Sequence, residues 1–349
     1  MARINISDIA EKAGVSKTAV SFAFNYPQRL SAQTLQHILE VADEMGYSPD
    51  PIARSMLTRK TGTIGLLLPQ PIQEIAQNPY FADLLSGIGE VCSHNGLSLM
   101  LIPPLMGSMR RAIDKAAVDG FLTLGLEESK TTMVVLRQRN MPFVTIDSDP
   151  IEGIPAVNVD DRQGAYLIMK HILHLGHRKI AILPIRSGKQ GHYREYVGTL
   201  GARMQGYIQA LEEFGMEASS RDVKIMECSN SEAGGREGFK ALLSSRRQIT
   251  AIVAMSDVIA FGILQEAKNR GISIPGSLSL AGFDDNQLSR FISPTLTTVS
   301  QPGVQKGELA ASILIRNLAG HDERSHHMLE TRLSVRESTG QVMTKKSPA

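Results

Sequence analysis

Two hydrophobic rhythms divide the chain. Over the first sixty residues apolar positions recur at helical spacing: Ile6, Ile9, Ala10 and Ala13, then Val20, Ala23 and Phe24, then Leu35, Ile38, Leu39, Ala42 and Met45. Gly14 separates the first two runs and can take the positive φ of a sharp reversal, Ser16 is placed to cap the second run, and small Ala10 and Ala13 let two helices cross closely. The pattern predicts helix, tight turn, helix, and then a third helix from Ser31 to Met45 closed by Gly46. Tyr47 to Pro51 has the composition of a linker. Ile52 to Thr58 is helix-compatible but only about two turns long, a length that is marginal in water without packing.

From Thr63 the rhythm changes to short apolar runs separated by helical stretches. Residues 63–68, 97–102, 120–124, 143–146, 179–183, 251–254 and 277–281 read as buried parallel strands, with helical segments near 80–94, 161–175, 203–214, 233–244 and 257–270. This βαβ alternation predicts an α/β fold with enough strands for two doubly wound parallel sheets. The expected divisions are a headpiece over 1–48, a hinge segment over 49–61, a core over 62–340 and a tail over 341–349.

The chain has 349 residues, 42% of them hydrophobic and 21% charged, the balance of a soluble globular protein. No apolar run is long enough to span a bilayer and the N-terminus lacks a signal-peptide core, so a cytoplasmic location is expected. Cys92 and Cys228 stand far apart without Cys-x-x-Cys spacing, which argues for core thiols rather than a disulfide scaffold or a zinc site. The net charge is only +2. In the first sixty residues Arg3, Lys12, Lys17, Arg29, Arg54, Arg59 and Lys60 stand against Asp8, Glu11, Glu40, Asp43, Glu44 and Asp50. A nucleic-acid surface therefore requires segregation, with Arg3, Lys17, Arg29, Arg54, Arg59 and Lys60 toward phosphate and Glu40, Asp43 and Glu44 on a rear helix.

On the second helix Lys17, Thr18, Ser21, Phe22 and Asn25 share the face away from Val20, Ala23 and Phe24, the face that would enter a major groove. In the core, neither a Gly-x-Gly-x-x-Gly after a strand nor a P-loop occurs. Ligands of open α/β sheets bind beyond the carboxyl ends of strands, and Asp147, Asp257 and Asp284 each follow a strand pattern. With the Arg203 guanidinium they offer bidentate hydrogen bonding suited to sugar hydroxyls or a polar heterocycle. No catalytic constellation emerges. His171, His174 and His177 repeat at threes near a helix end and read as a cap, His326 and His327 read as a polar connection, and the pairs Asp160-Asp161 and Asp284-Asp285 diverge. No cofactor or metal is expected.

Val15-Ser-Lys-Thr-Ala-Val-Ser-Phe-Ala-Phe-Asn25 resembles the helix-turn-helix headpiece of the lactose-repressor family of bacterial transcription regulators (LacI/GalR type). That family's usual run is Val-Ser-x-x-Thr-Val-Ser-Arg-Val-Leu-Asn. Ala19 replaces a Thr that commonly touches phosphate, and Phe22 replaces the Arg or His that commonly reads a base. Asn78-Pro-Tyr-Phe81, Val118-Asp-Gly-Phe121, Val159-Asp-Asp-Arg162, His174-Leu-Gly-His-Arg-Lys-Ile-Ala181, Arg203-Met-Gln-Gly206, Gly282-Phe-Asp-Asp285 and Pro294-Thr-Leu-Thr-Thr-Val-Ser-Gln-Pro302 continue the resemblance in order.

The resemblance implies a core similar to periplasmic sugar-binding proteins, two subdomains joined by three crossovers, one expected over about 62–161 and 292–322 and the other over about 162–291 and 323–340. It also implies a hinge helix in which Arg54 and Ser55 precede a minor-groove wedge at Met56, with Ser16 among the headpiece contacts. Phe81 would pack on an effector held by Arg203 and Asp284, and Ser256 stands where an amide is usual. The expected function is a sequence-specific repressor, a homodimer with a tetramer as the alternative, on pseudo-palindromic double-stranded operator DNA, controlled by a sugar or related metabolite. Two rivals share the core: a solute-binding receptor and an α/β enzyme.

Overall fold

The computed structural model describes residues 4–125, 130–187, 193–245 and 248–342; Arg3 and most of the expected tail, from residue 343, lie outside them. The chain divides into two compact units, residues 1–63 with 117–119, and residues 64–116 with 120–349.

The first unit is helical: α1 (Ile6–Ala13), α2 (Lys17–Asn25), α3 (Ala32–Glu44) and α4 (Pro51–Thr58), with a 3₁₀ turn at Pro27–Arg29. Each start has a local cause. Asn5 and Asp8 form a reciprocal capping box on α1, the Ser16 hydroxyl accepts from the Ala19 amide at α2, and Ser31 accepts from Thr34 at α3. Gly14 ends α1 at φ 64°, a left-handed conformation that costs a glycine little. Ile9, Ala10, Ala13, Val20, Ala23, Ile38, Val41 and Ala42 form the core of this unit, with Phe24 packed against them. Pro51 occupies the first position of α4, where its missing N–H breaks no helical bond, and Asp50 accepts from the Arg54 amide. After α4 the chain is tied at Thr61 and Gly62, whose amides donate to the Asp119 carboxylate at 2.6 and 2.9 Å.

The second unit contains two six-stranded sheets. Its elements in order are β1 (Thr63–Leu67), α5 (Ile72–Ile75), α6 (Pro79–His94), β2 (Ser98–Ile102), α7 (Met109–Lys115), β3 (Gly120–Leu124), α8 (Lys130–Gln138), β4 (Phe143–Ile146) and β5 (Ala156–Val159). There follow α9 (Asp161–His174), β6 (Ile180–Leu183), α10 (Gly198–Glu213), β7 (Val223–Ile225), α11 (Glu232–Ser244), β8 (Ala251–Ala254), α12 (Asp257–Asn269), β9 (Ser279–Asp284), α13 (Leu288–Phe291) and β10 (Thr297–Ser300). The chain closes with α14 (Gly303–Leu318), β11 (His326–Leu329) and β12 (Arg332–Ser334).

Strand order is β11-β5-β4-β3-β1-β2 in one sheet and β12-β10-β9-β8-β6-β7 in the other. β12 runs antiparallel to β10, whereas β6 to β8, β8 to β9 and β9 to β10 are parallel. Strands buried on both faces need apolar residues at every position, which is why they appear as unbroken runs in the sequence. In β6, Ile180 and Ile182 join the layer under α9 and α10, while Ala181 and Leu183 join the layer under α11 and α12. On the first sheet α6 and α14 pack tightly together. A Cβ at Gly87 would lie 2.0 Å from the Val304 carbonyl oxygen, so only glycine admits this approach.

The sheets correct two expected boundaries. The first crossing between subdomains does fall near Asp160, between β5 and α9. β10, however, belongs to the second sheet, so the second crossing lies at 301–302 rather than at 291–292. β11 belongs to the first sheet, which moves the third crossing to 330–331 from 322–323. His326 and His327 are therefore residues of an edge strand rather than of a connection, His326 being exposed there; its ring lies 3.1 and 3.0 Å from the carbonyls of Ile151 and Ile154. The core also reaches beyond 340, because the Val342 amide donates to Leu175 O at 3.0 Å. Cys92 and Cys228 are buried free thiols.

Candidate functional site

Helix α2 is positioned by Val20 and Ala23, which anchor it in the headpiece core. Lys17 and Thr18 are exposed on its opposite side, with Ser21, Phe22 and Asn25 half-buried on the same flank. The Asn25 side-chain amide donates to the Ser21 carbonyl at 3.0 Å, one turn back. Ser16 is spent on its cap. Glu40 and Glu44 both lie on α3, where Glu44 pairs with Lys12 of α1 at 3.0 Å and Glu40 accepts from Gln36. On α4, Arg54 is exposed, Ser55 half-buried, and Met56 79% exposed beside Leu57 at 61%.

In the second unit the carboxyl ends of both sheets face a cavity of about 590 Å³. Its wall includes Phe81, Asp147, Arg203 and Asp284 together with Tyr80, Asn230, Ser256 and Gln301. Four of the five expected effector residues are thus brought together. The fifth is not: Asp257 is fully buried beneath β9 and β10, its carboxylate accepting from the Thr298 hydroxyl at 2.6 Å and the Asn286 amide at 3.2 Å. Ser256 ends in extended backbone before α12, which turns Asp257 under the sheet and away from the cavity. Burial, and then the neighbouring Asp284 charge, raises the Asp257 pKa well above the usual carboxylate range. The amide that Ser256 lacks is supplied by Asn230, whose Oδ1 accepts from the Ser256 hydroxyl at 2.7 Å.

Sequence reasoning missed a residue buried behind three side chains of the cavity wall. Lys306, on α14, is wholly buried, and its ammonium donates to Asp147 Oδ1 at 2.5 Å and Gln301 Oε1 at 2.8 Å while lying 5.0 Å from the Tyr80 ring centroid. Tyr80 donates to Asp147 Oδ2 at 2.6 Å, and Gln301 Nε2 donates to Asp284 Oδ1 at 2.6 Å. Tyr80, Asp147, Lys306, Gln301 and Asp284 thereby form one continuous chain from the first sheet, through the second crossing, to the second sheet. Burial and then the Asp147 charge push the Tyr80 hydroxyl well above its ordinary pKa, so it acts as a donor only.

Beside this chain, Arg203 donates to Asp161 Oδ1 and to the Met255 carbonyl, both at 2.7 Å, and its guanidinium lies 3.6 Å from the Phe283 ring centroid. Burial alone would lower the Arg203 pKa; the Asp161 and Asp284 carboxylates outweigh it and raise it. Two ion pairs are therefore closed within the protein. Asp284 is different. It sits at φ 132°, a backbone conformation that L-residues rarely adopt, and burial pushes its pKa up to about 6 against the opposing pull of Arg203 and Gln301. One oxygen accepts from Gln301; the other, Oδ2, is buried without a partner among the described residues. Positive φ is also found at Asp147 (φ 53°) on the cavity wall and at Asp285 (φ 56°) next to Asp284.

No group of three or more His, Cys, Asp or Glu among the described residues is placed to hold a metal ion. His177 instead bridges Thr250, Ser279 and the Gly340 carbonyl at 2.9 Å each, and burial lowers its pKa. No described helix is long and apolar enough to cross a membrane.

A helix-turn-helix unit joined to a ligand-cleft core of two parallel sheets defines the architecture of an effector-controlled bacterial regulator. Residues 5–50 match the family model for bacterial regulatory proteins of the lacI family, and residues 169–339 match that for a periplasmic binding protein-like domain. The chain is 32% identical over 327 residues to the transcriptional regulator IpsA of Corynebacterium glutamicum, covering 89% of this chain and 90% of that one. Among solved structures it is similar to a transcriptional regulator CelR–cellobiose complex, at 25% identity and a TM-score of 0.70, covering 96% of this chain and 100% of that one. It shares the fold of the lac repressor dimer bound to operator and the anti-inducer ONPF, at 20% identity and a TM-score of 0.81, covering 97% and 100%. The protein belongs to the LacI family of bacterial transcription regulators.

Proposed function

We propose that this LacI-family regulator is a homodimeric repressor that reads a pseudo-palindromic operator with α2 and is controlled by a neutral, polyhydroxylated effector, a sugar or close relative, in the core cleft. The observation that carries the effector reading is the buried, unpartnered Oδ2 of Asp284 on the cavity wall beside Arg203. A buried acceptor without a donor is costly, and a ligand hydroxyl removes that cost. Because Arg203–Asp161 and Lys306–Asp147 are already closed, an uncharged ligand leaves both pairs intact while its hydroxyl donates to Asp284. The CelR relative crystallised with cellobiose is consistent with that class.

On the DNA side, Lys17 and Thr18 supply hydrogen-bonding groups to base edges, and Met56 is the apolar wedge presented by α4. Two headpieces would occupy successive major grooves about one helical turn apart. The protein acts in the cytoplasm, where its operator is, and performs no catalysis in this reading. Effector binding rotates one subdomain on the other about the crossing at 301–302, changing the spacing of the two α4 segments.

The test is calorimetric titration of the full-length protein with cellobiose, ribose and further mono- and disaccharides, each repeated on Asp284→Ala and Arg203→Ala. Binding to the wild type that falls at least tenfold in both variants is expected. A saccharide bound equally well by the variants would place the effector elsewhere, and no binding across the series would remove the saccharide class.

A further inference from the structure

The end of the recognition helix carries an arrangement that neither the family match nor the cleft explains. Position 22, from which a donor side chain would reach a base, holds a phenylalanine with no hydrogen-bonding group. Its ring is not alone. The Arg29 guanidinium lies 5.2 Å from the Phe22 ring centroid and 5.1 Å from that of Tyr26, and the two rings meet edge to face at 6.2 Å and 87°. A guanidinium shared between two aromatic rings is held in place by attraction to both.

The backbone under this cluster is also fixed. Pro27 opens the 3₁₀ turn, the Arg29 amide donates to Tyr26 O at 2.9 Å and the Leu30 amide to Pro27 O at 3.1 Å. Leu30 then packs onto the headpiece core, so the segment that carries Arg29 is anchored at both ends. The Arg29 side chain is exposed and, among the described residues, forms no hydrogen bond or ion pair. All of its N–H donors are therefore available, on a planar group whose position relative to α2 is set by Phe22.

We propose that Arg29 is a base-reading residue and Phe22 its positioning residue: the ring holds the guanidinium at the outer face of α2 so that paired N–H donors meet O6 and N7 of a guanine. A phosphate contact needs a charge but neither a fixed plane nor a fixed register, and Lys would serve it as well. The two ring contacts restrict where the guanidinium can lie and so supply the register. Reading is thus moved from the residue on the helix to one in the following turn, with the aromatic side chain as its support. This inference rests on α2 facing the major groove.

The experiment is selection of randomised duplex DNA by the full-length protein, followed by competition binding of the recovered sequence and its single-pair variants to wild type, Arg29→Ala, Phe22→Leu and the double variant. The wild type is expected to fix a G·C pair. Arg29→Ala should lose about 10- to 100-fold discrimination at that pair and keep the others. Phe22→Leu keeps an apolar side chain but removes the ring face; it should lose most of the same discrimination, and the double variant should be no worse there than Arg29→Ala.

Uniform weakening of all sequences by Arg29→Ala, with the salt slope reduced by about one, would make Arg29 a phosphate contact and overturn the assignment. Full discrimination in Phe22→Leu, with circular dichroism showing a folded headpiece, would overturn the positioning role. If the wild type recovers no sequence at all, the DNA reading of α2 fails first and this assignment with it, a result distinct from a motif that survives Arg29→Ala.

Discussion

Replacing Lys306 with Met isolates the energetics of the buried chain that joins the two sheets. Met has similar length and is apolar, so little volume is lost at a site with 0% exposure. What remains is Asp147, whose side chain is only 13% exposed, and Gln301 Oε1, which loses its donor. Breaking a buried ion pair by removing one partner costs about 3–5 kcal/mol. The Tyr80 hydroxyl still donates to Asp147 Oδ2 and lowers that by about 1 kcal/mol, while the stranded Gln301 oxygen adds about 1 kcal/mol. The expected loss for Lys306→Met is therefore about 3–5 kcal/mol. Asp147→Asn, which leaves the ammonium buried beside Gln301 alone, should cost a similar amount.

The double variant removes both charges and should cost only about 1–2 kcal/mol, less than either single change. The chain contains no Trp, so unfolding in urea is best followed by far-UV circular dichroism at neutral pH, comparing midpoints at a common slope. Additive losses, or a Lys306→Met midpoint within about 0.5 kcal/mol of wild type, would refute the claim that the pair is a desolvated, coupled unit.

Three further outcomes are expected from the same geometry. Because burial raises the Asp284 pKa to about 6 from the ordinary 3.8, ionised Asp284 weighs against the folded state, and its contribution is lost as pH rises from about 4 to 6; Asp284→Asn should gain on wild type by about 2 kcal/mol across that window, measured as unfolding free energy against pH, and a flat difference would contradict it. Gly87→Ala should cost more than about 3 kcal/mol or abolish soluble folding, since its Cβ would meet backbone 2.0 Å away; a variant melting within a few degrees of wild type would show that α6 and α14 can separate. Met56→Ala should lower operator affinity about tenfold while leaving saccharide binding to the core intact, and unchanged operator affinity would remove the wedge role of α4.

The headpiece was legible almost residue by residue, because its helices are set by local signals: Ser16 and Ser31 as caps, Gly14 and Gly46 as stops, and an amphipathic period between them. Most central strands of the sheets were legible as apolar runs. The five strands missed were those without such a run: Ala156–Val159 is interrupted by Asn158, Val223–Ile225 and Arg332–Ser334 are three residues long, Thr297–Ser300 is mostly polar, and His326–Leu329 lies at a sheet edge with alternating exposure. Their assignment depends on pairing partners far away in sequence, and the misplaced crossings came from the last two.

At the cleft, the rule that ligands lie past strand ends picked out Asp147 and Asp284, which do line the cavity, and also Asp257, which does not, since a carboxylate in the first turn of α12 can fold under the sheet instead. Lys306 carried no usable signal. A single Lys in a stretch that the sequence pattern leaves unassigned has nothing to mark it as buried, and its partner Asp147 is 159 residues away. Only the fold shows that α14 is buried on the side that bears it. Tyr80 lay within the Asn78-Pro-Tyr-Phe81 motif, yet nothing in the motif distinguished a donor to Asp147 from a packing residue.

Operator reading by α2 is tested most directly by asking whether the full-length protein selects a sequence from randomised duplex DNA. An inverted repeat is expected, with half-site centres about one helical turn apart, bound with an affinity that falls steeply with salt. Recovery of no enriched sequence at any salt concentration would contradict the repressor assignment.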